Sequence, residues 1–278
     1  MENLSLQKMK RVNLEMTGKP LPKIGSHCPD IEPNITEDTV FYIAGEPVGF
    51  YIRKMTGKAE NLAAVANAEL ISKRVKKTEM QRPKMLGIDP VTGKGIVDRS
   101  CKQYSAILGS VPAKPHMKRE YNTISSLHSE KPAGTFIKAM KLLCYEAEEI
   151  MRKLMPEQFE RQLGIMEAEA MPKYRFGRLF TSSISNCNIS APYHRDNANL
   201  KNTVNIIINK KRSARGGNLN IPEYDATIDG CDGSMLVYPA WMSVHGVTPI
   251  HKITEDGYRN SLVFYPLSGF RTEKGGHL

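Results

Sequence analysis

The chain has 278 residues, 40% hydrophobic and 24% charged, enough to bury a sizeable core in one large domain or two modest ones. No run of about 18 apolar residues offers a membrane span, and the polar start MENLSLQKMKRVNLEM lacks the apolar centre of a secretory signal, which predicts a soluble cytoplasmic protein. A net charge of +10 favours a polyanionic partner, while the five scattered cysteines (Cys28, Cys101, Cys144, Cys187, Cys231), with no C-x-x-C pair, argue against a disulfide framework and a structural zinc.

Residues 1–38 are polar, carry Pro20, Pro22, Pro29 and Pro33, and read as an irregular arm. Alternating apolar residues in TVFYIAGEPVGFYI predict a hairpin turning near Gly45-Glu46-Pro47. Residues 58–77 are helix-like and become basic through Lys73, Arg74, Lys76 and Lys77, followed by Arg82 and Lys84. Such a cluster suits a helix end that complements the helix dipole, or equally a nucleic-acid contact. Residues 85–130, rich in Gly, Pro and Ser, predict loops and brief strands. In TFIKAMKLLCYEAEEIMRKLM the residues Phe136, Met140, Leu143, Ala147, Ile150 and Leu154 recur at steps of three and four, the stripe of an amphipathic helix. Pro156 opens a second helix running to about Ala170. From Arg175 onward, short strands separated by turns (FGRLFTSSISN, NTVNIIINK, GNLNIP, SMLVYP, VHGVTPI, NSLVFYPL) predict a sandwich or barrel. The expected fold is α+β: a β-barrel buttressed by helices over 131–278, with residues 1–130 as an N-terminal extension packing on or beside it in one integrated domain.

Within the strand region, APYHRDNANL places His194 and Asp196 on one face of an extended segment and Arg195 on the other. An imidazole and a carboxylate converging in this way are two arms of a 2-His-1-carboxylate triad, which holds Fe(II) and leaves positions open for oxygen and a cosubstrate. His245, at the start of a later strand, is the best third ligand, with His251 as competitor. Protein kinases also write His-Arg-Asp with an Asn downstream. Here no glycine-rich loop precedes the motif, no Asp-Phe-Gly follows it, and its surroundings are strands. Arg259 opens the final strand, where a guanidinium can grip a dicarboxylate bidentately. Alternation puts Ser261, Val263 and Tyr265 on its face and Asn260, Leu262 and Phe264 on the other.

Three pieces, His-Arg-Asp with Asn199 three residues after the Asp, His-x-x-Thr-Pro from His245, and Arg-x-Ser-Leu-Val-Phe-Tyr from Arg259, resemble the TET/JBP family of Fe(II)- and 2-oxoglutarate-dependent DNA dioxygenases. The likeness spans roughly residues 174–270. It implies a double-stranded β-helix (jelly-roll) core, with His194, Asp196 and His245 as iron ligands, Arg259 and Ser261 on the 2-oxoglutarate carboxylate, and molecular oxygen as cosubstrate. It also implies DNA as the partner and hydroxylation of the methyl group of 5-methylcytosine, or alternatively of thymine. Asn199 would contact the flipped base and Tyr265 would stack on it, about 20 Å from Arg259 at ~3.3 Å per strand residue. Animal TET proteins carry a His two residues after the stacking Tyr, where this chain has Leu267, and a cysteine-rich zinc-binding region that it lacks; its length is similar to the compact bacteriophage members. Phosphate contacts are expected from Lys210, Lys211, Arg212 and Arg215 in INKKRSARGG, read as a loop between two barrel strands, and from the cluster at residues 73–77. Rival readings keep the chemistry but act on RNA, a free nucleotide or a protein side chain. A metal-free nucleic-acid-binding barrel would leave His194, Asp196, His245 and Arg259 without a purpose.

Overall fold

The alternating segment after residue 38 folds as the expected hairpin. In the computed structural model, which describes residues 5–79, 84–88, 91–92, 95–98 and 103–274, Lys10–Asn13 (β1) lies parallel to Thr39–Ile43 (β2), which returns as Glu46–Ile52 (β3). The turn residues Ala44 and Gly45 take positive φ angles of 51° and 86°, matching the twist of a two-residue hairpin. Gly57–Ile71 (α1) ends earlier than expected, because Ser72 is extended. Lys77 then reaches back to donate to the carbonyls of Leu70 and Ser72, so part of the basic cluster caps a helix. Next come Thr78–Glu79 (β4), Lys84–Ile88 (β5), Gly95–Asp98 (β6), Tyr104–Val111 (β7) and Thr123–Ile124 (β8). Arg82 and Cys101 lie outside the described residues.

Gly134–Leu154 (α2) buries all six residues of its predicted stripe. Pro156 begins Pro156–Glu169 (α3), where its missing N–H has no helical partner to lose. The remaining strands are Ser182–Cys187 (β9), Ala191–His194 (β10), Asn205–Arg212 (β11), Ala214–Gly216 (β12), Leu219–Ile221 (β13), Ala226–Ile228 (β14), Met235–Tyr238 (β15), His245–Val247 (β16), Ile250–Lys252 (β17) and Tyr258–Tyr265 (β18).

The large sheet runs β1-β2-β3-β15-β11-β18-β9-β7-β4, with β8 also on β7, and a smaller sheet runs β10-β16-β13-β14. From β9 onward the chain crosses back and forth between the two, the interleaving of a jelly-roll. One face of the large sheet sends Ile206, Ile208, Val237, Leu262 and Phe264 into the main core against α2. Phe264 is fully buried there, and truncating it to Ala would cost about 3–5 kcal/mol. The opposite face meets the small sheet, through a second core including Phe41, Tyr51, Ile221 and Leu236. Residues before 130 are woven into the large sheet, with β3 of the β1–β3 unit paired to β15 and β7 paired to β9, while β4 and β8 pair with β7. No helix among the described residues is long and apolar enough to cross a membrane.

Candidate active site

Pairing of β10 with β16 sets His194 directly opposite His245, with ring centroids 4.4 Å apart. Asp196 lies just past the end of β10, and its N–H donates to Ala240 O. One ligand atom from each of the three side chains lies within 4.8 Å of the others, so together they can hold a metal ion. Nδ1 of His194 is 2.8 Å from Pro192 O, and Nδ1 of His245 is 3.0 Å from Ser243 O. A carbonyl only accepts, so each Nδ1 carries the proton and each Nε2 keeps its lone pair for a ligand. Burial, reinforced by the charge of His194, lowers the pKa of His245 and favours the neutral ring that coordinates metals.

Asp196 is held in turn. Asn205 Nδ2 donates to its Oδ2 at 3.1 Å and Asn199 Nδ2 approaches the same oxygen at 3.4 Å, while Oδ1 lies 3.6 Å from His194 Nε2. Asn199 Nδ2 also donates to Asn205 Oδ1 at 2.9 Å. Asn205 was not anticipated, since nothing in the sequence separates it from Asn197 and Asn202 nearby.

A cavity of about 530 Å³ lies between the sheets. Its lining residues Asn197 and Ala198 are exposed and mark the open end, beside Tyr265 and Leu267; Arg259, Asn209 and Gly230 are buried at the closed end. Arg259 is 4% exposed and its Nε has no hydrogen-bond partner among the described residues. Burial alone pushes its pKa down, to about 10, and no carboxylate opposes the shift, so it remains a cation at neutral pH. A buried charge without a partner is costly, and a bound carboxylate would satisfy it. Gly217, at a φ of 71°, packs against this side chain, and a Cβ there would fall 2.9 Å from its Cδ and Nε. Ser261 accepts from Asn186 Nδ2 at 3.3 Å, leaving its own hydroxyl hydrogen for an acceptor in the cavity. The donor set therefore fits a dicarboxylate as well as the His-Asp-His cluster fits Fe(II). The alternation along β18 is as expected: Arg259, Ser261, Val263 and Tyr265 line the cavity, Leu262 and Phe264 enter the helix-side core, and Asn260 donates to Asn67 of α1.

The basic residues expected on a DNA-facing loop are placed otherwise. Lys210, Lys211 and Arg212 belong to β11, which continues through Arg212. Lys210 is buried and paired with Glu60 at 2.8 Å and Asp232 at 2.9 Å. Lys211 donates to Gly216 O at 2.9 Å, and burial, then the charge of Arg259, lowers its pKa. Neither is available to a phosphate. Arg212 is exposed but paired with Asp256 at 2.8 Å, and Arg215 lies 3.9 Å from Asp30. Register explains the error of position: Lys211 stands opposite Arg259 and Arg212 opposite Tyr258, at the closed end of the cavity. Of the other cluster, Arg74 is paired with Glu69 and Lys77 caps α1, while Lys73 and Lys76 are exposed. His251, the competing ligand, is held by Asp30 at 2.8 Å, and Arg195, which also lines the cavity, is paired with Glu223 at 2.9 Å.

Residues 112–267 match the family model Tet_JBP, described as the oxygenase domain of the 2OGFeDO superfamily. Among solved structures, NgTET1 in complex with 5mC DNA aligns with a TM-score of 0.60 at 12% identity, over 96% of this chain and 85% of that one. An oxidoreductase of the 2OG-Fe(II) oxygenase family from Burkholderia pseudomallei aligns with a TM-score of 0.42 at 12% identity, over 81% and 88% of the two chains. OsALKBH1 does so with 0.42 at 13%, over 80% and 97%. The search of curated proteins returns no match. At 12% identity the NgTET1 alignment shows a shared jelly-roll fold, and the family match extends over more than half of the chain. The chain belongs to the Tet_JBP family of the 2OGFeDO superfamily and is a dioxygenase that uses Fe(II) and 2-oxoglutarate.

Proposed function

We propose that the protein hydroxylates the methyl group of 5-methylcytosine in DNA, giving 5-hydroxymethylcytosine, on a base flipped into the cavity. The observation that carries this reading is the order of groups along one cavity. A buried guanidinium with no carboxylate partner among the described residues lies at the closed end, the His-Asp-His cluster in the wall, and the ring of Tyr265 at the open end. In this reading His194, Asp196 and His245 hold Fe(II), Arg259 and Ser261 hold the distal carboxylate of 2-oxoglutarate, and Tyr265 stacks on the base.

When bound, Fe(II) and 2-oxoglutarate supply the oxidising power, by coupling reduction of oxygen to decarboxylation to succinate. The residues of the chain orient and protect. The carbonyls of Pro192 and Ser243 fix the imidazoles through Nδ1, Asn205 and Asn199 fix Asp196 through Oδ2, and Arg259 sets the direction of the cosubstrate. Ile184, Ile207, Leu219 and Val263 line the cavity and exclude water from the reacting methyl group. A methyl group stacked in a duplex cannot reach a site recessed between two sheets, so the base must leave the stack.

Asn199 favours cytosine over thymine. Its Nδ2 is engaged by Asp196 and Asn205, so the group left for a base is the acceptor Oδ1. An acceptor suits the exocyclic amine of cytosine and is opposed by O4 of thymine. The net charge of +10 and the 5mC DNA in the NgTET1 structure support a DNA substrate. Succinate release in the presence of methylated and unmethylated DNA of one sequence tests the reading. Stimulation by methylated DNA alone, lost in His194→Ala, is expected; equal stimulation by both would refute it.

A further inference from the structure

With Lys210 and Lys211 buried and Arg212 and Arg215 at the closed end, the phosphate-binding surface must be sought at the open end. The register of the large sheet locates it. Tyr265 pairs with Ser182, and Ser182 pairs with Gly109, so β7 crosses the level of Tyr265 two strands away, roughly 10 Å. β7 and β18 run in the same direction, both antiparallel to β9, so the segment after Val111 leaves the sheet on the side where the cavity opens.

That segment carries Lys114, Lys118 and Arg119 on one closed loop. Backbone bonds between Lys114 and Arg119 in both directions pinch its base, and Arg119 Nε donates to Pro112 O at 2.7 Å. Lys114 and Lys118 are exposed, and none of the three cations has a carboxylate partner among the described residues; Glu120 is the one acid in the segment. By contrast Lys54, Lys210, Arg212 and Arg215 each face an acid. The loop is fastened to the rim of the cavity. Buried Asn122 donates to Gly269 O at 2.8 Å and Thr272 O at 2.7 Å. Just before Gly269, Ser268 N–H donates to Ala198 O and Leu267 lines the opening. Arg119 also lines a polar groove of about 390 Å³ along the outer edge of β7, with Lys76, Thr123 and Ser125.

We infer that the loop bearing Lys114, Lys118 and Arg119 is the rim that docks the phosphates of the polynucleotide strand whose base enters the cavity. The inference rests on the proposed DNA substrate, and it names the surface that substrate meets. Its test is the double variant Lys114→Glu/Lys118→Glu, with Lys114→Gln/Lys118→Gln as the milder form, beside a charge-matched control, Lys138→Glu/Lys141→Glu, on the exposed face of α2. Duplex DNA binding is followed by fluorescence anisotropy across a salt series, with a thermal melt to verify folding. Loss of two phosphate contacts lowers the slope of log affinity against log salt by about two and weakens binding on the order of tenfold or more at physiological salt, while the control keeps the wild-type slope. DNA-independent succinate release should stay at the wild-type rate in both. Wild-type slope and affinity in the loop variants would overturn the inference, as would an equal loss in the control, which would mark a net-charge effect. These binding results do not depend on oxidation: a wild-type protein that binds through this loop yet leaves methylcytosine unchanged would refute the proposed reaction and leave the rim standing.

Discussion

Replacing Asn205 with alanine removes the better of two donors to Asp196 Oδ2, at 3.1 Å, and the acceptor that holds Asn199. Asn199, at 3.4 Å from the same oxygen, retains part of the restraint, but the carboxylate gains freedom to rotate away from the histidines. A hydrogen bond to a charged group stabilises by about 1.5–3 kcal/mol. Loss of a residue that orients a metal ligand typically weakens metal binding about 10–100-fold, or about 1.4–2.8 kcal/mol. The two estimates agree, so the expected change in dissociation constant lies in that range. Anaerobic calorimetric titration with Fe(II), without DNA or cosubstrate, reads it directly and independently of turnover. Asn199→Ala should cost less, since its contact is longer. If Asn205→Ala bound Fe(II) as tightly as the wild type while His194→Ala lost binding, the role assigned to Asn205 would be wrong.

Arg259→Met should raise the KM for 2-oxoglutarate at least about 30-fold. Because it also removes a buried charge whose Nε lacks a partner among the described residues, the melting temperature of the cosubstrate-free protein should hold or rise; a fall would contradict that reading of Arg259. Gly217→Ala places a Cβ 2.9 Å from Arg259 Cδ and Nε at a φ of 71°, so the same KM should rise in steady-state kinetics while Fe(II) affinity is unchanged. Lys210→Met removes the shorter of two lysine contacts to Glu60 while Lys54 still holds both Glu60 and Asp232, and should cost about 1.5–3 kcal/mol in denaturant unfolding, with no change in the salt slope of DNA binding. For His245, whose folded pKa lies below the unfolded value of about 6.5, the unfolded chain takes the proton first as pH falls. Its contribution is therefore complete above about pH 6.5 and declines below it, a loss in metal-free melts that His245→Gln should lack.

The parts of the site that follow a short-range period were legible in the sequence. Strand alternation alone separated Arg259, Ser261, Val263 and Tyr265 from Leu262 and Phe264. What depends on distant chain was not. Lys210 looks like a loop cation until Glu60, far earlier in the sequence, is brought against it by the packing of α1 on the large sheet. The N-terminal hairpin was legible as a hairpin, but its pairing with β15 was not, because a strand does not name its neighbour. Asn205 acts through a carboxylate nine residues away across a turn, a relation no periodicity encodes.

The most direct test of the central claim is nucleoside mass spectrometry of one duplex DNA carrying both 5-methylcytosine and thymine, incubated with the protein, Fe(II), 2-oxoglutarate and oxygen. The expected product is 5-hydroxymethylcytosine, formed with succinate, absent with His194→Ala, and unaccompanied by 5-hydroxymethyluracil. Appearance of 5-hydroxymethyluracil instead, or succinate release with both bases intact, would contradict it.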